Sequence, residues 1–149
     1  MKLNTKRFGE IEVDENNILT FPNGILGFPD IRKYILIREE GNDVFLWLQG
    51  IEEDIAFIIT NPLFFKPDYK IKIPQEEVKE LEVRDVNDIQ IYAIVTVPSD
   101  PKFTSINLQG PILINPHKNL GKQIVLADES YPVKYFIFSS NERLAQSAG

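Results

Sequence analysis

The sequence predicts an all-β protein: a small closed or nearly closed antiparallel β-barrel with one short helix. Three observations point there. The 149-residue chain holds twenty Ile, nine Val, ten Phe and five Tyr but only five Ala; branched and aromatic side chains suit a pleated, half-buried surface, and Ala suits helices. Ten prolines and eight glycines cut the chain into short runs. Within those runs, apolar residues either alternate with polar ones or fill both parities, at strand length. The length fits one domain, placed at residues 1–138, with a polar tail at 139–149.

Taken in order, Glu10-Ile11-Glu12-Val13 alternates and opens the strand series, and Ile18–Phe21 follows. Gly24 after Pro22-Asn23 reads as a turn needing positive φ, and Gly27 before Phe28-Pro29 as a second bend. Tyr34–Ile37, Val44–Leu48 and Ile55–Ile59 are apolar on both parities, which predicts central strands covered on both faces. Gly41-Asn42-Asp43 suits a hairpin loop between the first two. Trp47, inside such a run, is expected in the core. Asp68–Ile73 alternates strictly, with Tyr69, Ile71 and Ile73 inward, and predicts a strand with one wet face.

Gln75–Leu81 breaks the pattern. It follows Pro74, opens with carboxylates and carries Val78 and Leu81 three residues apart, which predicts two turns of helix. Strands resume at Ile89–Val97. Ile106, Leu108, Ile112 and Ile114 then share one parity, against Asn107, Gln109 and Asn115 on the other. Lys122–Leu126 and Val133–Phe138 complete the set. The tail Ser139–Gly149 is small and polar, so fraying or weak helix is expected.

Composition excludes much chemistry. With no cysteine there is no disulfide, thiolate metal site or Cys nucleophile. The single histidine, His117, lies in the turn-like Asn115-Pro116-His117-Lys118-Asn119 with no acid–base partner nearby in sequence, and reads as a surface residue. Glu52-Glu53-Asp54 and Glu76-Glu77 are runs of neighbours whose side chains diverge, and no calcium-loop pattern occurs. The Gly24/Gly27 pair lacks the Lys-Ser/Thr of a phosphate loop. No cofactor, no metal and no catalytic residue are expected. A net charge of -6 argues against direct nucleic-acid binding. No apolar run reaches a membrane span, and the N-terminus lacks a signal-peptide core, so a cytoplasmic location without membrane contact is expected.

The acidity is regional. Arg38–Asp54 carries six acids against one Arg, and Gln75–Asp88 carries six against Lys79 and Arg84. One reading is solubility. The other is a negative surface that steers a basic partner, for which Glu76, Glu77 and Glu80 are candidate contacts. The Asn61-Pro62-Leu63-Phe64-Phe65 loop offers Asn61, Phe64 and Phe65, either as contacts or as residues tucked under the barrel. Asn107 and Gln109, on an amide-rich parity, are further candidate contacts.

An ordered set of motifs carries a resemblance: Thr5-Lys6-Arg7-Phe8-Gly9-Glu10-Ile11, Phe21-Pro22-Asn23-Gly24-Ile25-Leu26-Gly27-Phe28, Trp47-Leu48-Gln49, Asn61-Pro62, Thr96-Val97-Pro98, Asn107-Leu108-Gln109-Gly110-Pro111-Ile112-Leu113-Ile114-Asn115, Gly121-Lys122-Gln123 and Tyr131-Pro132-Val133. The sequence resembles the flagellar assembly factor FliW family over nearly the whole domain. The resemblance implies a non-enzymatic cytoplasmic regulator, monomeric when free, that binds flagellin and the RNA-binding translational repressor CsrA. Partner exchange would then couple flagellin level to flagellin translation. Two rivals make distinct demands: a ligand-carrying small β-barrel needs a sizeable apolar cavity, and a carboxylate hydrolase needs two acids converging in a cleft.

Overall fold

The computed structural model describes residues 1–142. The chain runs through β1 (Lys2–Thr5), β2 (Gly9–Glu12), β3 (Leu19–Thr20), β4 (Lys33–Ile37), β5 (Phe45–Gly50), β6 (Ala56–Thr60), α1 (Gln75–Glu80), β7 (Gln90–Thr96), β8 (Ser105–Ile106), β9 (Ile112–Asn115), β10 (Leu120–Gln123) and β11 (Tyr135–Phe136). β1 and β2 form a separate hairpin. The barrel ring reads β3-β4-β5-β6-β7-β9-β10 and returns to β3, so seven strands close on themselves. Closure removes the edges that an open sheet leaves unpaired.

β7 is shared. Gln90, Ile91 and Tyr92 pair with β9, while Val95 and Thr96 pair with β8, which in turn pairs with β11. The all-antiparallel expectation needs one correction: β10 meets β3 in parallel, through Leu120 and Thr20. Thr20 N–H also donates to the Asn119 carbonyl at 2.8 Å.

The inward parities fill the barrel. Leu46 and Leu48 of β5, Ile59 of β6, Tyr92 of β7, and Ile112 and Ile114 of β9 pack with Phe21, Ile25, Ile31 and Tyr34. Gly121 is required here, because a Cβ would lie 2.3 Å from the Phe21 ring. A second core lies on the outside of the same wall. There Ala93, Val95 and Leu113 meet Ile106, Leu108, Ile124, Leu126, Tyr69 and Leu81. The shared parity of Ile106, Leu108, Ile112 and Ile114 therefore serves two cores, the first pair outside and the second inside.

Several expectations change. Asp68–Ile73 forms no paired strand; it is an extended strap lying over the outer core. Its alternation holds in burial, with Tyr69 buried, Ile71 and Ile73 half-buried, and Lys70 and Lys72 exposed. Trp47 is not interior. It stands on the outer face of β5 with Phe8 edge-on at 5.5 Å and the Arg7 guanidinium 4.3 Å above its ring, and its indole N–H donates to Glu39 at 2.5 Å. Asn115, expected on the wet parity, is buried and donates to the Leu81 carbonyl at 2.8 Å. The strand expected at Lys122–Leu126 starts two residues earlier. Its end runs beside the Gln109–Pro111 segment, where Ile124 and Leu126 N–H donate to Pro111 and Gln109.

The helix forms as expected, with Pro74 at its N-cap and Glu76 and Glu77 in its first turn. Glu82, just beyond, takes φ 55, the left-handed step that ends helices. At Ser139 the amide donates to the Glu142 carboxylate, and the Glu142 amide donates to the Ser139 hydroxyl. This reciprocal box starts a helical turn; residues 143–149 of the tail lie outside the described residues.

Candidate protein-binding surfaces

The acidic stretches do not make one continuous patch. Glu39–Asp43 precede β5 and Glu52–Asp54 follow it, and a six-residue strand separates its two ends by about 17–20 Å. Several of these acids also have structural work. Glu52 accepts from the Arg32 and Lys33 amides at 2.7 Å each, which holds its carboxyl below the usual range. Asp54 accepts from the Lys6 amide at 2.9 Å and from Gln49 Nε2 at 3.1 Å.

The helical acids divide in the same way. Lys122 Nζ bridges Glu77, at 2.5 Å, and Glu80. Partial burial opposes the lysine's charge, but the two carboxylates outweigh it and raise its pKa. Glu76 is exposed and has no side-chain partner among the described residues. Of the three helical candidates, Glu76 alone is unpaired, while Glu77 and Glu80 share the single charge of Lys122.

The Asn61–Phe65 loop separates its two rings. Asn61 Oδ1 accepts from the Leu63 amide at 3.0 Å and starts a 3-10 turn at Pro62–Phe64. Phe65 stacks on Phe45 at 6.1 Å, whereas Phe64 is 56% exposed beside Leu63 at 49%. Asn107 Oδ1 accepts from the Gln109 and Gly110 amides at 3.1 and 2.9 Å, so it shapes a turn. Gln109 is half-buried and its carbonyl holds Leu126. His117 is exposed in its turn, its amide donating to Asn115 Oδ1.

Sequence reasoning missed one surface feature. A groove of about 850 Å³ lies between Lys70–Gln75 and Gln123–Asp128, with Tyr131 and Glu77 also in its wall. Tyr69 pins the strap by donating to the Leu108 carbonyl at 2.6 Å, and burial pushes its phenol pKa upward. Tyr131 packs edge-on against Tyr69 at 4.7 Å, and its hydroxyl lies 3.1 Å from both the amide and the carbonyl of Lys70. The available signal was the strict alternation at 68–73, which marks a half-covered segment without naming its neighbour.

The interior leaves no room for cargo, since Phe21, Tyr34, Leu48, Ile59 and Ile112 fill it at 0% exposure. Among the described residues, no group of three His, Asp or Glu is placed to hold a metal ion. None of their helices is long and apolar enough to cross a membrane. These features define a small, filled β-barrel whose exposed apolar residues and groove lie on its outer wall and loops.

Comparison with known proteins makes the class specific. The family model for FliW protein matches residues 2–137, and the chain belongs to the FliW family. The flagellar assembly factor FliW of Caldicellulosiruptor bescii is 44% identical over 134 residues, covering 89% of this chain and 88% of that protein. That of Alkaliphilus metalliredigens is 41% identical across 99% of this chain and 93% of its own length. A Leptospira interrogans relative of the same name is 43% identical across 94% and 95%. The crystal structure of a flagellar assembly factor FliW superposes with a TM-score of 0.87 at 33% identity, covering 94% of this chain and 99% of that one.

Proposed function

We propose that this protein is a cytoplasmic regulator of flagellum assembly that binds flagellin and antagonises the translational repressor CsrA by partner exchange. The observation that carries this reading is membership of the FliW family across residues 2–137, whose curated relatives are named flagellar assembly factors. The filled barrel supports protein binding over the rival ligand-carrying barrel, because small-molecule carriage needs a cavity.

Antagonism has a physical route that does not require filling the RNA site. An acidic protein docked beside a phosphate path adds like charge and reduces the counterion-release gain of RNA binding. Glu76 is the helical candidate for this role, since Glu77 and Glu80 already neutralise Lys122. The exposed Leu63–Phe64 pair suits an apolar flagellin segment.

The test is a three-component titration of purified protein, CsrA with labelled flagellin leader RNA, and flagellin. The protein should release RNA from CsrA, and added flagellin should restore the RNA complex. Binding to neither partner across graded salt overturns the proposal. Release by Glu76→Gln that matches the parent at low salt overturns the charge-based route alone.

A further inference from the structure

We propose that the groove between the strap and the end of β10 binds an extended peptide by strand addition, with acidic side chains alternating with apolar ones. This reading stands apart from the flagellin and CsrA proposal and rests on backbone geometry and charge.

The groove has two unpaired polypeptide edges. In an extended chain, successive residues aim their N–H and C=O to opposite sides. On one wall, Ile124 and Leu126 donate away from the groove, to Pro111 and Gln109 at 3.1 and 2.8 Å. The backbone groups of Val125 and Ala127 therefore face into it, and no partner for them occurs among the described residues. On the other wall, the Tyr131 hydroxyl takes both polar groups of Lys70. Two residues on, Lys72 presents its N–H and C=O on the same side, again without a partner among the described residues. Tyr131 thus closes one end of a slot whose two sides remain open to hydrogen bonding.

The side chains specify the occupant. The half-buried Ile71 and Ile73 and the buried Ile124 and Leu126 form an apolar floor. An inserted strand would turn one parity onto that floor and the other to solvent. On the solvent side its neighbours are Lys70 and Lys72, both exposed and without a side-chain partner among the described residues, and Val125, 62% exposed. Lys122, the third nearby cation, is matched by two carboxylates, Glu77 and Glu80, and Asp128, also in the lining, is engaged by the Ser130 amide and hydroxyl. Two free lysines at alternate positions of one edge, in a chain of net charge -6, match acids at alternate positions of a peptide. Such sites draw affinity from main-chain bonds and specificity from alternate side chains.

The probe is an end-capped hexapeptide alternating Val and Glu, titrated into the full chain by NMR and amide hydrogen exchange. Binding should protect the Lys72, Val125 and Ala127 amides. N-methylating the peptide amides of either parity should weaken binding by about tenfold or more, as expected for lost hydrogen bonds. The double variant Lys70→Glu/Lys72→Glu, altered only at exposed positions, should keep the fold by circular dichroism and reverse the preference toward a Val–Lys hexapeptide. Absence of binding, binding without protection at those amides, equal affinity for the N-methylated peptides or an unreversed charge preference overturns the proposal. So does protection that rises with protein concentration alone, which would make the groove an interface between copies.

Discussion

Strand β6 and the strap at residues 68–73 are both extended and rich in isoleucine, the first within the barrel wall and the second packed on it. They are held in different ways. β6 lies between β5 and β7, with both edges in ladders and Ile59 at 0% exposure. The strap has no ladder; one hydroxyl at each of Tyr69 and Tyr131 ties it to its surroundings. Apolar alternation fixes which side of a segment is covered, but a partner of matching register fixes whether the backbone is paired. The strap has a cover and no such partner, and the groove is the result.

The widest contrast is expected in amide exchange. Amides of β6 should open only with the whole domain, at about 5–15 kcal/mol, whereas those of Ile71 and Lys72 should exchange near the unprotected limit. Protection of Lys72 in the isolated protein would break the comparison. Core truncation comes next. Phe21→Ala, inside the barrel, should cost about 3–5 kcal/mol, and half-buried Ile71→Ala roughly 1 kcal/mol by lost apolar burial, both read by chemical denaturation. Equal costs would mean that the strap belongs to the same cooperative core.

Alkaline titration sharpens the comparison through tyrosines on both sides of the wall. Burial, with Glu52 as a lesser cause, pushes Tyr34 up to about 12, and burial also raises Tyr69 and Tyr92. A raised phenol pKa favours the neutral form in the fold. That stability is complete below the free phenol pKa of about 10 and is lost as pH rises through the folded values. Absorbance of tyrosinate should therefore appear together with unfolding. Tyr34→Phe should flatten the alkaline limb without loss at neutral pH, because the Tyr34 hydroxyl is buried with no hydrogen-bond partner among the described residues. The smallest effect belongs to Glu52, whose depressed pKa gives stability that is present above about 4.3 and lost as pH falls through the folded value. Glu52→Gln should shallow the acid limb of a thermal-melt series; an unchanged limb would remove this loop contact from acid stability.

Much of the wall was legible because branched residues at period two leave few alternatives: Tyr34–Ile37, the Val44–Leu48 run, Ile55–Ile59 and Ile89–Val97 all supply barrel strands. The closing contacts were not legible. The pairing of Gln90–Tyr92 with β9 and the single parallel pair Leu120–Thr20 join residues far apart in sequence, and short-range pattern carries no information about such partners. Trp47 misled because an outer face covered by Phe8 and Arg7 has the same apolar composition as an inner one. The candidate surfaces were partly legible: Phe64 is exposed, but Phe65, Asn107, Glu77 and Glu80 are occupied by local partners that only the fold brings together.

Ring closure also divides the chain in an unplanned way. β3 to β6 come from one stretch of sequence and β7, β9 and β10 from another, and the strands of the two arcs pair at two seams. One seam, β6 with β7, has three register pairs; the other, β10 with β3, has one. A backbone cut near the mostly exposed Glu82–Asp88 stretch would leave two open arcs, each presenting two bare margins that the other completes. Such halves are expected to reassemble when fused to associating partners, with recovery of the β-sheet spectrum as the readout; no recovery would mean that the seams alone do not specify the pairing.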